Sequence, residues 1–232
     1  MAGDEKGQVK EILESGEYQL STGPNGDSII LLVRDFLSPT EADDIYKHCL
    51  EEMPFELYKN TREDTGETLV EPRKIAWYGD YTYTYDTITH PAKKEWTETL
   101  INIRQRLEKK IDYKLNSVLG NLYRDKSDMV PWHSDNEPEF GVNPSIASIS
   151  LGEERRFGLR KVPPEGPLGD YSNMPLYWVP LPHGSLVVMK GAMQFDWQHC
   201  IPKEERECQP RINLTYRWLI PPDERPMQTK EH

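Results

Sequence analysis

The sequence predicts an α+β, mainly β domain: a double-sheet core buttressed by two helices. Three observations carry this. From residue 115 onward the chain reads almost wholly as short strands separated by Gly, Pro, Asn and Asp clusters. Two segments before that point repeat their apolar residues at helical spacing. The chain has 232 residues, enough for one well-buried core and compatible with a single domain.

In chain order, residues 1–27 are polar and rich in Gly, Ser and Glu, which predicts a mobile N-terminal arm with at most a helical turn over 9–13. The apolar run SIILLVRD (28–35) predicts a strand. Ser38-Pro39-Thr40-Glu41 supplies an N-cap, a proline at the first helical position and an acid at the third. Ala42, Ile45, Tyr46, Cys49 and Met53 then recur on one helical face, and Pro54 stops the helix. Residues 55–59 and 69–78 flank a turn at Arg62–Gly66 and read as a hairpin. Tyr81, Tyr83 and Tyr85 alternate with threonines at the strand period. Residues 91–110 read as the second helix, with Trp96, Leu100, Ile103 and Leu107 on one face. Strands are expected over 117–123, 145–151, 155–161, 177–180, 185–190 and 211–220. The domain is expected over 28–222, with a C-terminal tail at 223–232.

Composition narrows function. The cysteines, Cys49, Cys200 and Cys208, are odd in number and unpaired in spacing, which argues against a disulfide framework and for a reducing compartment. No run of about 18 apolar residues is present, so no spanning helix is expected. The first residues are too acidic and polar for a signal peptide, and the expectation is the nucleus and cytoplasm. A net charge of −11 argues against a general nucleic-acid coat protein. It leaves room for a local basic patch.

Trp132-His133-Ser134-Asp135 sets an imidazole and a carboxylate two residues apart, on one face of an extended segment. His199 lies 66 residues on, far enough for the chain to cross the core and return. Two imidazoles and a carboxylate leave coordination positions open, as non-haem iron oxygenases require. Three protein ligands and a water also describe a catalytic zinc, so the triad leaves iron and zinc both open. Arg211-Ile212-Asn213-Leu214-Thr215-Tyr216-Arg217 places two arginines, an asparagine and a threonine on one strand face. Burying that face is costly without an anion, and arginine forks suit a dicarboxylate. The alternative is a solvated sheet face. Asn121 and Tyr123 share a strand face and could complete the hydrogen bonds of such a dicarboxylate.

These segments resemble one family. The runs NLYRDKSDMVPWHSDNEPEFGVNPSIASISLGEERRFGLRK, LPHGSLVVMKGAMQFDWQHCIPKEE and PRINLTYR are similar to the AlkB-type alkylation-repair dioxygenases. EPRKIAWYGDYTYTY and Arg62-Glu63-Asp64 extend the likeness to the animal AlkB homologue three subgroup. The resemblance covers roughly residues 30–220. It implies a double-stranded β-helix (jelly-roll) core, Fe(II), 2-oxoglutarate and O2. It also implies iron ligands at His133, Asp135 and His199, and 2-oxoglutarate contacts at Asn121, Tyr123, Arg211, Asn213 and Arg217. Of the two arginines, Arg211 would meet the distal carboxylate and Arg217 the metal-proximal end. Leu119 matches a position beside the active site. A nucleotide-recognition lid is implied at about residues 55–90. Within it, Arg62, Arg73, Tyr83 and Tyr85, together with Asn136, are the candidate substrate contacts. Arg155, Arg156, Arg160 and Lys161 would add to a positive rim.

Two positions depart from the pattern. Asn136 stands where a second Asp ordinarily follows the motif, and Phe55 replaces a Trp. The implied activity is oxidative demethylation of 1-methyladenine and 3-methylcytosine in single-stranded DNA or RNA by a monomer. Hydroxylation or demethylation of a protein or small molecule is the alternative.

Overall fold

The computed structural model describes residues 9–61, 65, 66, 68–85 and 88–225. Two sheets pack face to face. The larger has seven strands in the spatial order Gly16–Gly23, Gly26–Val33, Leu186–Gly191, Ile146–Gly152, Arg211–Arg217, Ser117–Tyr123 and Lys74–Gly79, each pair antiparallel. The smaller has five, in the order Val9–Glu11, Leu176–Leu181, Arg155–Lys161, Trp197–Ile201 and Val130–His133. All its pairings are antiparallel except that of Val9–Glu11 with Leu176–Leu181.

Helices Pro39–Glu52 and Glu98–Ile111 cover the outer face of the seven-stranded sheet. Ala42, Ile45 and Cys49 of the first and Leu100, Ile103 and Leu107 of the second join Ile149, Leu214 and Tyr216 in one core cluster. A second cluster fills the space between the sheets, where Ile30, Leu32, Val187 and Met189 meet Phe157, Leu159 and Val179. The central strands are thus buried on both sides. Every residue of Arg211–Arg217 is buried, with Ile212, Leu214 and Tyr216 under the helices and the four polar side chains on the opposite face, between the sheets. The expected double-sheet core with buttressing helices is present.

Several boundaries differ from expectation, each for a local reason. Residues 9–27 carry the strands Val9–Glu11 and Gly16–Gly23 and the start of Gly26–Val33, and are not a mobile arm. Ile12, Tyr18 and Leu20 pack on the inter-sheet core, and a turn between Gly23 and Gly26, where Gly26 takes φ +107°, reverses the chain. The second helix starts at Glu98, not at 91, because the Thr97 hydroxyl caps the Leu100 amide at 3.3 Å. Trp96 therefore precedes the helix and packs on Tyr78 and Tyr216. The expected hairpin divides. Lys59–Thr61 pairs with Thr68–Val70, while Lys74–Gly79 joins the edge of the large sheet. A third, short helix, Met193–Asp196, was not expected. Arg62 and residues 226–232 of the expected tail lie outside the described residues.

Candidate functional site

His133 and His199 face each other across an antiparallel pair, in register at the edge of the five-stranded sheet. Asp135 follows two residues later on the same side, as the alternation of an extended segment dictates. The ligand-type atoms of His133, Asp135 and His199 all lie within 4.8 Å of one another. The His133 Nδ1–H is placed to donate to the Pro131 carbonyl at 2.9 Å, which leaves the Nε2 lone pair on the side of Asp135 Oδ1, 3.5 Å away. Asp135 Oδ2 accepts from Arg217 Nε at 2.9 Å and Nη2 at 2.6 Å. One carboxylate oxygen is thereby tied up and the other left free for an ion.

The electrostatics favour the ligand forms. Burial pushes the Asp135 carboxyl up, but Arg217 first, and then the neighbouring His133 and His199, hold it well below the usual carboxylate range. Burial first, and then the charge of His133, bring His199 down to about 3, so its imidazole is neutral. A carboxylate beside two imidazoles is the donor set a divalent metal needs. Two further bonds fix the motif. The Asp135 amide donates to Gln194 Oε1 at 2.9 Å, and the Ser134 hydroxyl donates to the Trp197 carbonyl at 2.9 Å. Gln194 is 2% exposed and sits on the short helix that leads into the His199 strand. It therefore couples two ligand-bearing segments. Sequence reading missed it because neither spacing nor residue type marks a lone glutamine.

A cavity opens from the triad between the sheets, lined on the seven-stranded sheet by Asn121, Tyr123, Ser148, Val187, Met189, Asn213, Thr215 and Arg217 and on the five-stranded sheet by Phe157 and Leu181. Arg211 sits outside this lining, at 0% exposure. Its Nη2 donates to Ser150 Oγ at 2.9 Å and Asn213 Oδ1 at 3.0 Å, and its guanidinium lies 5.1 Å from the Tyr123 ring centre. Its Nε and Nη1 have no hydrogen-bond partner. Burial pushes this guanidinium down to about 10. A buried cation with orphaned donors is unfavourable by itself and fits the carboxylate of a bound dicarboxylate. Iron and 2-oxoglutarate both suit the residues present.

The candidate substrate contacts separate. Tyr83 is buried and lines the cavity, stacked on Trp77 at 5.0 Å, and its hydroxyl donates to Glu137 Oε1 at 3.2 Å. Arg73 also lines the cavity, but its Nε donates to Asn121 Oδ1 at 2.7 Å and its Nη1 pairs with Glu71 at 2.8 Å. It ties the segment before Lys74–Gly79 to the polar face of the large sheet. Tyr85 lies in the strand Tyr83–Tyr85, opposite Ile88. Asn136 is exposed and not part of the cavity lining, contrary to expectation; in the His133–Asp135 alternation it falls on the outward face. Glu137, the next residue in the inward register, does not line the cavity either, but its Oε1 accepts from the Tyr83 hydroxyl. Burial, and then the nearby Asp135 carboxylate, raise its pKa. Leu119 lines the cavity as expected.

The expected positive rim does not hold together. Arg155 is 1% exposed and engaged with Glu204 and the Asp128 carbonyl, whereas Arg156 and Arg160 lie on the opposite side of the same strand.

Comparison with known proteins agrees with this geometry. Residues 30–217 match the 2OG-Fe(II) oxygenase superfamily. The alpha-ketoglutarate-dependent dioxygenase alkB homolog 3 of Mus musculus is 42% identical over 214 residues, 92% of this chain and 74% of that protein. The Homo sapiens protein of the same name gives the same four figures. The DNA oxidative demethylase ALKBH2 of Bos taurus is 32% identical over 188 residues, 80% of this chain and 67% of its own. The solved structure of OsALKBH1 superposes with a TM-score of 0.54 at 17% identity, over 81% of this chain and 97% of that one, and so supports the jelly-roll fold. The chain therefore belongs to the 2OG-Fe(II) oxygenase superfamily, in its AlkB branch, as a dioxygenase that uses Fe(II), 2-oxoglutarate and O2.

Proposed function

We propose that this dioxygenase removes methyl groups from the ring nitrogens of nucleobases, 1-methyladenine and 3-methylcytosine, in single-stranded DNA or RNA of the nucleus and cytoplasm. His133, Asp135 and His199 hold the iron. Asn121, Tyr123, Asn213 and Arg217 surround the 2-oxoglutarate, and Arg211 receives its distal carboxylate. When bound, this pair supplies, with O2, a two-electron oxidation that hydroxylates the N-methyl group. 2-Oxoglutarate is converted to succinate and CO2, and the unstable hemiaminal releases formaldehyde.

The chain's own residues bind, orient and exclude water. Arg217 fixes Asp135 through Oδ2, so the carboxylate offers the metal a single oxygen. Phe157 and Leu181 on one sheet and Val187 on the other give the cavity its apolar walls. Tyr83 presents a wall already stacked on Trp77, against which an extruded base can lie. Glu137, held by the Tyr83 hydroxyl, sets an acidic oxygen beside that wall and favours a base made cationic by methylation.

The observation that carries this reading is the buried Tyr83 ring on the cavity of the triad, with its hydroxyl donating to Glu137. The names of the relatives, dioxygenase and DNA oxidative demethylase, support it. The test supplies the full chain with Fe(II), 2-oxoglutarate and single-stranded oligonucleotides carrying either lesion. The expected result is formaldehyde release and the mass loss of one methylene per lesion. Turnover on a peptide panel with none on nucleic acid would overturn it.

A further inference from the structure

The outer face of the five-stranded sheet carries an array that the active site does not use. Trp132 and Trp178 approach each other at 6.1 Å between ring centres over Gly158. A Cβ at that glycine would meet both indoles at 2.7 Å, so only a bare backbone lets the two rings close over it. The Arg156 guanidinium lies 5.1 Å from the Trp178 ring centre. Arg160 lies between Trp132 and Tyr171, at 4.6 and 3.6 Å from their ring centres. Its Nε and Nη2 donate to Gln198 Oε1 at 2.9 and 2.6 Å, and the Tyr171 hydroxyl donates to the same oxygen at 3.0 Å. Both indoles are half-buried, and Arg156 is exposed.

Neither arginine forms an ion pair among the described residues, although the chain carries a net charge of −11. The neighbouring Arg155, by contrast, is engaged by Glu204. Two positive charges left without acids in an acidic chain, each laid on an aromatic face, match a ligand that is anionic and flat-ringed. The array is also tied to the active site by register. Trp132 precedes His133, and Arg160 pairs with Gln198, the residue before His199.

We propose that this face binds the single-stranded polynucleotide that flanks the damaged base. Arg156 and Arg160 meet its phosphates, and its bases stack on Trp178 and Trp132. The proposal rests on the nucleic-acid reading of the active site. It adds a contact for nucleotides outside the cavity, so its effect depends on strand length.

Trp178→Ala and Arg156→Glu are made in the full chain and compared with the parent on a methylated trinucleotide and a long methylated single strand. Anisotropy measures binding of an unmethylated long strand. The expected result is that each variant raises the long-strand Kd and KM about tenfold. Arg156→Glu also lowers the slope of log Kd against log salt by about 0.7. Trinucleotide kcat/KM stays at the parent value. An unchanged long-strand Kd overturns the proposal, as does an equal loss on both lengths. Weaker binding of an acidic peptide with an unchanged oligonucleotide Kd would overturn it in favour of a protein partner. The two readings fail separately. A parent chain that binds the long strand but demethylates neither substrate defeats the demethylase reading, whereas normal trinucleotide turnover with unchanged Kd values defeats only this surface.

Discussion

Arg211 carries its charge into the interior without an acid to meet it, and that sets an unusual sign on its removal. Truncating one partner of a buried ion pair normally strands the other charge, but among the described residues Arg211 has no acid partner, only the neutral Ser150 Oγ and Asn213 Oδ1. Arg211→Met should leave the Tm of the ligand-free chain unchanged or raised. It should also raise KM for 2-oxoglutarate at least about tenfold and abolish the Tm shift that 2-oxoglutarate gives the metal-loaded, oxygen-free protein. Thermal melts with and without 2-oxoglutarate check both halves. Gln194→Leu removes the acceptor that holds the Asp135 amide and should weaken Co(II) or Fe(II) binding about tenfold, read by metal titration. His199 sets a pH dependence. Its folded pKa of about 3 lies below the ordinary value near 6.5, so between these limits the unfolded chain binds more protons and stability falls on acidification. In metal-free protein the slope approaches about 1.4 kcal/mol per pH unit, and urea unfolding across that window should show it largely lost in His199→Leu. Asp135, held low, adds a further loss only below about pH 4. At this scale the sequence was readable wherever alternation governs. His133 and Asp135 share a face, as do Arg211, Asn213, Thr215 and Arg217. Extending the same rule by one step would have selected Glu137 over Asn136. The commitment of Arg73 to Asn121 was not readable, because it joins residues 48 apart in the chain.

Secondary-structure elements were legible where a local signal ends them. Ser38-Pro39 starts the first helix at the expected place, and its hydroxyl accepts from the Glu41 amide at 3.4 Å. The second helix was placed too early because its apolar spacing continues back to Trp96, whereas Thr97 provides the cap. Thr97→Ala should cost about 1 kcal/mol in urea unfolding, with the same folded spectrum. The strands at 9–27 were missed because an edge strand shows only one face to the core. Tyr18 and Leu20 alternate with Gln19 and Ser21 on a segment whose mean composition is polar. A chain begun at Ser28, where composition places the boundary, loses the Gly16–Gly23 strand and exposes Ile30 and Leu32 on an open edge. It should aggregate, which size-exclusion chromatography against the full chain would show.

The whole molecule is organised around the polar face of one strand, buried between two sheets on the side away from the helices. The sequence showed that such a face exists, because four polar residues alternate with three apolar ones. It could not show which layer covers each side, since that follows from pairings between strands remote in the chain, such as Ile149 with Leu214. One consequence of the uncompensated Arg211 reaches beyond the site itself. A ligand that binds only the folded chain stabilises it in proportion to its saturation, by about 2.7 kcal/mol at a hundred times its Kd. The folded fraction of this protein therefore follows the supply of 2-oxoglutarate. When that metabolite falls, more of the chain should unfold and become open to proteases, which limited proteolysis of the metal-loaded protein with and without 2-oxoglutarate would show.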